Sequence, residues 1–531
     1  MTASSMSKGF FEFVKSIGEA KSKQEEDGII ENELHILKAK MGARNVAPRQ
    51  MREYLIRMVY VEMLGHDASF GHIHAVKLTR ANKLVDKRVG YMACSLCLHK
   101  DHELMLLLVG GLQTDLQSQN QLEVATALIV ACKLINEDTI PAILPLVNKL
   151  LNHNEATIRK KAIMVIQRFN ELEKSSVTDV ADKAKRMLCD KDPSVMGASL
   201  HLLLDLVETN CSDFTDLVSS FVSILKQIIE HRLPKDYDYH RMPAPWTQIK
   251  LLQILALLGT ANKSASEGMY EVLHEVMRRA DIGINVGYAI IYECVRTVTT
   301  IYPNTQLLAE AAKCTSRFIT SENHNLKYLG INALASIVQI NPSAANEHQM
   351  IVIDCLEDKD ETLRRKTLDL LYKMTNENNV NVICTKLIVS LKDSVDVYLR
   401  TQLVEKITFL AEKFAPDTIW FIDTMSQVFE LGADLVKPQF AHNFVKTLAE
   451  GIIENQEDED AEEDIANYAA DFFYQILIRN LKKKRKRIPN ILMRIVAWVM
   501  GEYGQYCTGK PVDEEEDDED DDEEEEEEGS D

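Results

Sequence analysis

Five segments of this chain superimpose in one frame, and no other feature narrows the possible folds as far. They are NEATIRKKAIMVIQRF from Asn154, DPSVMGASLHLLLDL from Asp192, NHNLKYLGINALASIV from Asn323, DETLRRKTLDLLYKM from Asp360 and VDVYLRTQLVEKITFL from Val395. Aligned on Ile158, Val195, Leu326, Leu363 and Leu399, they lie 37, 131, 37 and 36 residues apart. Small or apolar residues recur at offsets +4, +7, +8 and +11, the spacing of a single apolar helix face. Lys406, at +7 of the last segment, is the one clear violation. Offset +4 is Ala162, Ser199, Gly330, Thr367 and Leu403, usually a small residue that lets a neighbouring helix approach closely.

At +1 stand Arg159, Lys327, Arg364 and Arg400, with Met196 the exception, and an acidic or amide residue usually precedes the anchor by two to four positions. A cap followed by a cation just inside the helix suits a ladder of hydrogen bonds and ion pairs from one repeat to the next. A period near 37 with two helices per unit predicts an all-α fold, an α-solenoid of HEAT or armadillo-like helix pairs. Residues 1–505 at that period hold about thirteen or fourteen pairs. The 21 glycines and 13 prolines in 531 residues fall below the usual ~7% and ~5%, as a helical chain requires. Solenoids present long surfaces to partners and seldom catalyse.

The formal net charge of −22 belongs largely to one place. Asp513 to Glu528 are sixteen consecutive acidic residues and Asp531 adds another, leaving 65 acidic against 60 basic groups elsewhere. Residues 506–531 are therefore expected to be a disordered acidic tail on a nearly neutral body. Such a balance argues against nucleic acid as a partner. The one strongly basic run is Lys482, Lys483, Lys484, Arg485, Lys486 and Arg487, between two apolar helical stretches. It is a candidate for anionic membrane or partner contact, with a solvated turn, or a partner for the acidic tail, as the plainer alternative.

Catalytic signatures are lacking: there is no P-loop, no GxGxxG after a strand, no GxSxG and no HExxH. No cofactor or metal is expected. The ten cysteines are scattered through apolar helical patterns, as buried thiols of a reducing compartment would be. Cys94-Ser-Leu-Cys97 is a lone CxxC without a second pair or a histidine at ligand spacing, and His72 and His74, two apart, face different ways on a helix. The N-terminus has no long apolar stretch or cleavage site, so the chain is expected to be cytoplasmic.

Several stretches are more specific than the repeat. MLGHDASFGHIHAVKL (Met63 to Leu78), DKRVGYMACSLCL (Asp86 to Leu98), MPAPWTQIKLLQILALLG (Met242 to Gly259), NVGYAIIYECV (Asn285 to Val295), AEKFAPDTIWFIDTM (Ala411 to Met425) and WVMGEYG (Trp498 to Gly504) resemble the trunk of the large adaptins of adaptor-protein complexes, the α/γ/ε type. The matches run in family order from about residue 10 to 505. LGHDASFGHIHAVKL, LCDKDPSVMGASLH and HNLKYLGINAL are most similar to the ε type of the fourth adaptor complex, with the γ type second.

The resemblance implies a non-enzymatic subunit of a heterotetramer with a small (sigma), a medium (mu) and a β-type large chain. An Arf-family GTPase would recruit it to trans-Golgi or endosomal membranes as a peripheral coat that sorts transmembrane cargo. In the family, the N-terminal half of the trunk cradles the small subunit. Ile73 and Val76 match an apolar pair that contacts Arf in the γ type. Where the α type carries a phosphoinositide-binding lysine cluster, this chain has Met51-Arg52-Glu53, which leaves Arg44, Arg49 and Arg52 as a weaker basic patch. The first-helix arginine that helps read dileucine cargo in the α and γ types aligns with Gly18, with Lys15, Lys21 and Lys23 nearby, so cargo tails are expected mostly on the other subunits. The alternative within the binding class is a nuclear transport receptor, another acidic HEAT solenoid, which should be longer and lack the MPAPW and AEKFAPD segments.

Overall fold

The computed structural model describes residues 8–454, 459–482 and 488–509. Twenty-six α-helices occur among them, with a single two-stranded ribbon, Asp238–Tyr239 against Met242–Pro243. The chain divides into two compact units, Met1–Tyr302 and Pro303–Asp531.

Within the first unit, Pro48–Met63, Leu84–Cys97, Gln121–Leu134, Ala156–Leu172, Pro193–Thr209, Pro245–Gly259 and Asn285–Thr300 pack successively side by side. A second layer, among it Met105–Asp115, Ile140–Leu150, Val180–Leu188, Val218–Ile229 and Tyr270–Ala280, lies against the first. In the second unit, His324–Ile340, Glu361–Met374 and Val397–Phe414 form one layer, and Thr305–Ile319, Ser343–Asp354 and Val380–Asp393 the other. The all-α stack of helix pairs expected from the period is what each unit contains.

The repeat frame explains how these helices start. Asp192, Asn323, Asp360 and Asp396, each three residues before its anchor, cap their helices by accepting backbone N–H groups at 2.8–3.4 Å. The cation at +1 then reaches forward 31 residues. Arg159 donates to both carboxylate oxygens of Asp190 at 2.7 and 2.8 Å, Lys327 reaches Asp358 at 2.6 Å, and Arg400 donates to the Leu431 carbonyl at 2.6 Å. In the fourth repeat Arg364 turns back to the Asp358 carbonyl, and its neighbour Arg365 reaches Asp396, again 31 residues on.

The small residue at +4 earns its place at Gly330. A Cβ there would stand 2.7 Å from Ile319 Cγ1 and 2.9 Å from its backbone nitrogen, so the helices meet backbone to backbone. Lys406, the violation, is not a core residue. Its ammonium pairs with Asp369 of the preceding repeat at 2.7 Å and lies 4.8 Å from the centre of the Tyr372 ring, while its stem covers apolar surface. Anchor Leu326 and the +11 residue Leu206 are only half-buried.

Candidate functional site, an interaction surface

The helix Pro48–Met63 begins with proline at its first turn, which fixes φ where no donor is needed. The chain then turns through LGHDASFG, where Asp67 accepts the Ser69 amide at 2.9 Å and draws its own carboxyl below the usual range. It enters His72–Leu78, a helix of only seven residues closed by the Thr79 hydroxyl on the Val76 carbonyl. So short a helix holds its shape only through packing. Leu84–Cys97 supplies that packing at Gly90, where a Cβ would lie 2.7–2.9 Å from backbone atoms of Thr79, Ala75 and Leu78.

Buried charge fastens the same region. Arg57 joins Glu33 at 2.9 Å and Glu53 at 3.0 Å, and Arg52 donates to Asp86 at 2.9 Å. Lys87 meets Asp115 at 2.5 Å, and the Tyr91 hydroxyl donates to the other Asp115 oxygen at 2.7 Å. Burial, then Asp115, pushes the Tyr91 phenol far above its ordinary value, so it stays a donor.

The residues expected to make contacts divide sharply here. Ile73 is half-exposed on His72–Leu78, whereas Val76 is 3% exposed and packs in the core. Arg44 and Arg49 are exposed beside the start of Pro48–Met63. Arg52 is committed to Asp86, which is itself buried, so its charge is neutralised within the fold. Gly18 is exposed on Lys8–Glu19 with open space where a side chain would stand; Lys15 pairs with Glu19, and Lys23 with Glu26 and Asp27. Lys482 ends the helix Glu459–Lys482. Lys483, Lys484, Arg485, Lys486 and Arg487, and the acidic run, lie outside the described residues.

A feature missed in the sequence is an exposed apolar stripe. Val85, Met92 and Leu96 lie on Leu84–Cys97 at spacings of seven and four, so they share a face. Leu122 and Ile129 lie seven apart on the next stacked helix, and Met164 on the one after. Leu106, 78% exposed, is on the adjoining second-layer helix. The alternation of these residues with buried ones was visible, but not that they remain uncovered. Large apolar side chains exposed on consecutive helices are the kind of surface that marks an interaction site. Farther along, the MPAPW segment forms the ribbon and a left-handed Ala244 (φ 36°), bonded by Gln248 to the Pro243 carbonyl at 2.7 Å. It holds Trp246 outward, 5.0 Å from the Tyr239 ring.

The three helices around His72 also gather a chemically distinct group. Glu62, His72 and Cys97 place one potential ligand atom each within 4.8 Å of the others. His72 Nε2 is 2.6 Å from Glu62 Oε1, and burial with the Glu62 carboxylate raises the Cys97 thiol. Cys94, its CxxC partner, is buried apart from this group, and burial pushes its thiol up to about 12.

A chain of capped helix pairs whose surface offers apolar and basic patches has the architecture of a solenoid scaffold. A family model described as the adaptin N terminal region matches residues 26–516, and the chain belongs to that family. It is 47% identical to the AP-4 complex subunit epsilon of Arabidopsis thaliana over 515 residues, covering 96% of this chain and 54% of that protein. It is 44% identical to the AP-4 complex subunit epsilon-1 of Homo sapiens, covering 92% and 42%. The chain thus spans about half the length of these curated relatives. In fold it is similar to a chain of a homology model of the full-length AP-3 complex in an intermediate open conformation, with a TM-score of 0.61, 21% identity, and coverage of 87% and 81%. Among the described residues no helix is long and apolar enough to cross a membrane.

Proposed function

We propose that this chain is the ε-type large subunit of a heterotetrameric adaptor complex in vesicle-mediated intracellular protein transport. It scaffolds small (sigma), medium (mu) and β-type large chains at the cytoplasmic face of trans-Golgi or endosomal membranes, where the complex sorts transmembrane cargo. Residues 1–505 serve as the trunk and 506–531 as an acidic extension. The observation that carries the reading is the apolar stripe from Val85 to Met164, which needs a protein partner. The N-terminal half of an adaptin trunk cradles the small chain, so the stripe is assigned to it. Interfaces of this obligate kind bury over ~2,000 Å², and the isolated chain should be poorly soluble.

Recruitment sums several weak contacts. Ile73 offers the apolar contact for an Arf-family GTPase, with Val76 holding its helix in place beneath. Arg44 and Arg49, with the Lys482–Arg487 run, offer positive charge to anionic lipid. Affinity purification of the tagged chain from cells tests the assembly: sigma, mu and β-type chains should come down in equal amounts, and recovery of none would refute it. Leu122→Arg with Ile129→Arg should release the small chain while leaving the helical circular dichroism intact. Ile73→Asp should abolish recruitment by GTP-bound Arf from an assembled tetramer; undiminished recruitment would remove Ile73 from the contact.

A further inference from the structure

The geometry points to a zinc site formed by Glu62, His72 and Cys97, which would clip three helices of the first unit together. Carboxylate, imidazole and thiol are the three ligand types that zinc accepts, and three protein ligands leave a fourth position for water. In a tetrahedral zinc site neighbouring ligand atoms lie about 3.3–3.6 Å apart. Here all three atoms fall within 4.8 Å, one pair already at 2.6 Å, so rotamer-scale movement brings them onto one ion.

A second observation concerns His72 alone. It is 8% exposed, yet its Nδ1 is fully buried and meets no hydrogen-bond partner. The ring's one hydrogen bond is thus the Nε2–Glu62 contact, inside the ligand group. The His102 ring stands 5.4 Å from that of His72 and uses its Nδ1 to accept the Leu104 amide.

The three ligands sit at the last turn of Pro48–Met63, the first residue of His72–Leu78 and the last residue of Leu84–Cys97. An ion there would close the 62–97 loop at the point where the seven-residue helix begins, one residue before Ile73. Coordination exchanges the Cys97 S–H bond for a sulfur–metal bond and releases that proton to water; the neutral His72 ring moves its Nε2 proton to Nδ1, so that Nε2 gives its lone pair to the ion in place of its hydrogen bond to Glu62.

The test uses the full 531-residue chain with cobalt(II) and zinc(II) chloride. Wild type should take up one equivalent of cobalt with a near-ultraviolet thiolate-to-cobalt charge-transfer band, and zinc should displace it. Cys97→Ser and His72→Gln should each weaken zinc by more than about tenfold in competition with a chromophoric chelator, whereas Cys94→Ser should leave it unchanged. Lack of the thiolate band in wild type would overturn the proposal, as would a full equivalent of tight zinc in Cys97→Ser. The wild-type spectrum decides the matter even if a variant fails to fold.

Discussion

The helices between Pro48 and Cys97 and those between His324 and Phe414 achieve the same end, close stacking, by different means. In the second group a cap at −3 and a cation at +1, or at +2 in the case of Arg365, tie each repeat to the next at a constant step of 31 residues. In the first, the ties Arg57–Glu33, Arg52–Asp86 and Lys87–Asp115 span 24, 34 and 28 residues and share no frame. A regular ladder divides the load among similar, half-buried contacts. The irregular region concentrates it in a few buried charges and one glycine, and that region also carries Ile73 and the Glu62, His72, Cys97 group.

Breaking this contrast should give unequal penalties. The largest is expected from Lys87→Ala, which strands the buried Asp115 carboxylate and should cost about 3–5 kcal/mol; amide exchange across Leu84–Cys97 should accelerate accordingly. Gly90→Val should follow at about 3 kcal/mol, since the neighbouring atoms are backbone and cannot give way. Its counterpart in the ladder, Gly330→Ala, should cost about 1–3 kcal/mol, measured by the same exchange across His324–Ile340, because part of its clash falls on the movable side chain of Ile319.

Arg159→Ala should cost about 1–3 kcal/mol near neutrality. The Arg159 guanidinium holds the Asp190 carboxyl below its ordinary value, so this stabilisation is complete above the ordinary value and is lost as pH falls from there through the lowered one. The gap in melting temperature between wild type and Arg159→Ala should therefore close below about pH 4. A gap that persisted there would mean that packing, not charge, joins the repeats. The smallest effect, under about 1 kcal/mol, belongs to Lys406→Ala, whose partner Asp369 is half-exposed and can return to water.

Much of the scaffold was legible before any coordinates. The caps Asp192, Asn323, Asp360 and Asp396, the cations Arg159, Lys327 and Arg400, and the close approach at Gly330 all follow from spacing within or between adjacent repeats. The surface was less so. Val76 and Ile73 look equivalent in HIHAVKL, yet one is sealed by the packing of Leu84–Cys97 and the other is not. Arg52 reads as a free cation until Asp86, 34 residues on, is found against it. Cys97 gave no ligand signal, because its companions His72 and Glu62 lie 25 and 35 residues before it without a motif's spacing.

The sequence by itself determined the period, the helix starts, the inter-repeat ladder and the adaptin resemblance, because these depend on residues within about one repeat length and on the energetics of a single helix and its neighbour. Only the tertiary structure decided which apolar residues stay uncovered, which charges are already spent, and that a carboxylate, an imidazole and a thiol converge. Those outcomes depend on helix ends brought together by irregular turns, and no local propensity encodes where such ends will meet.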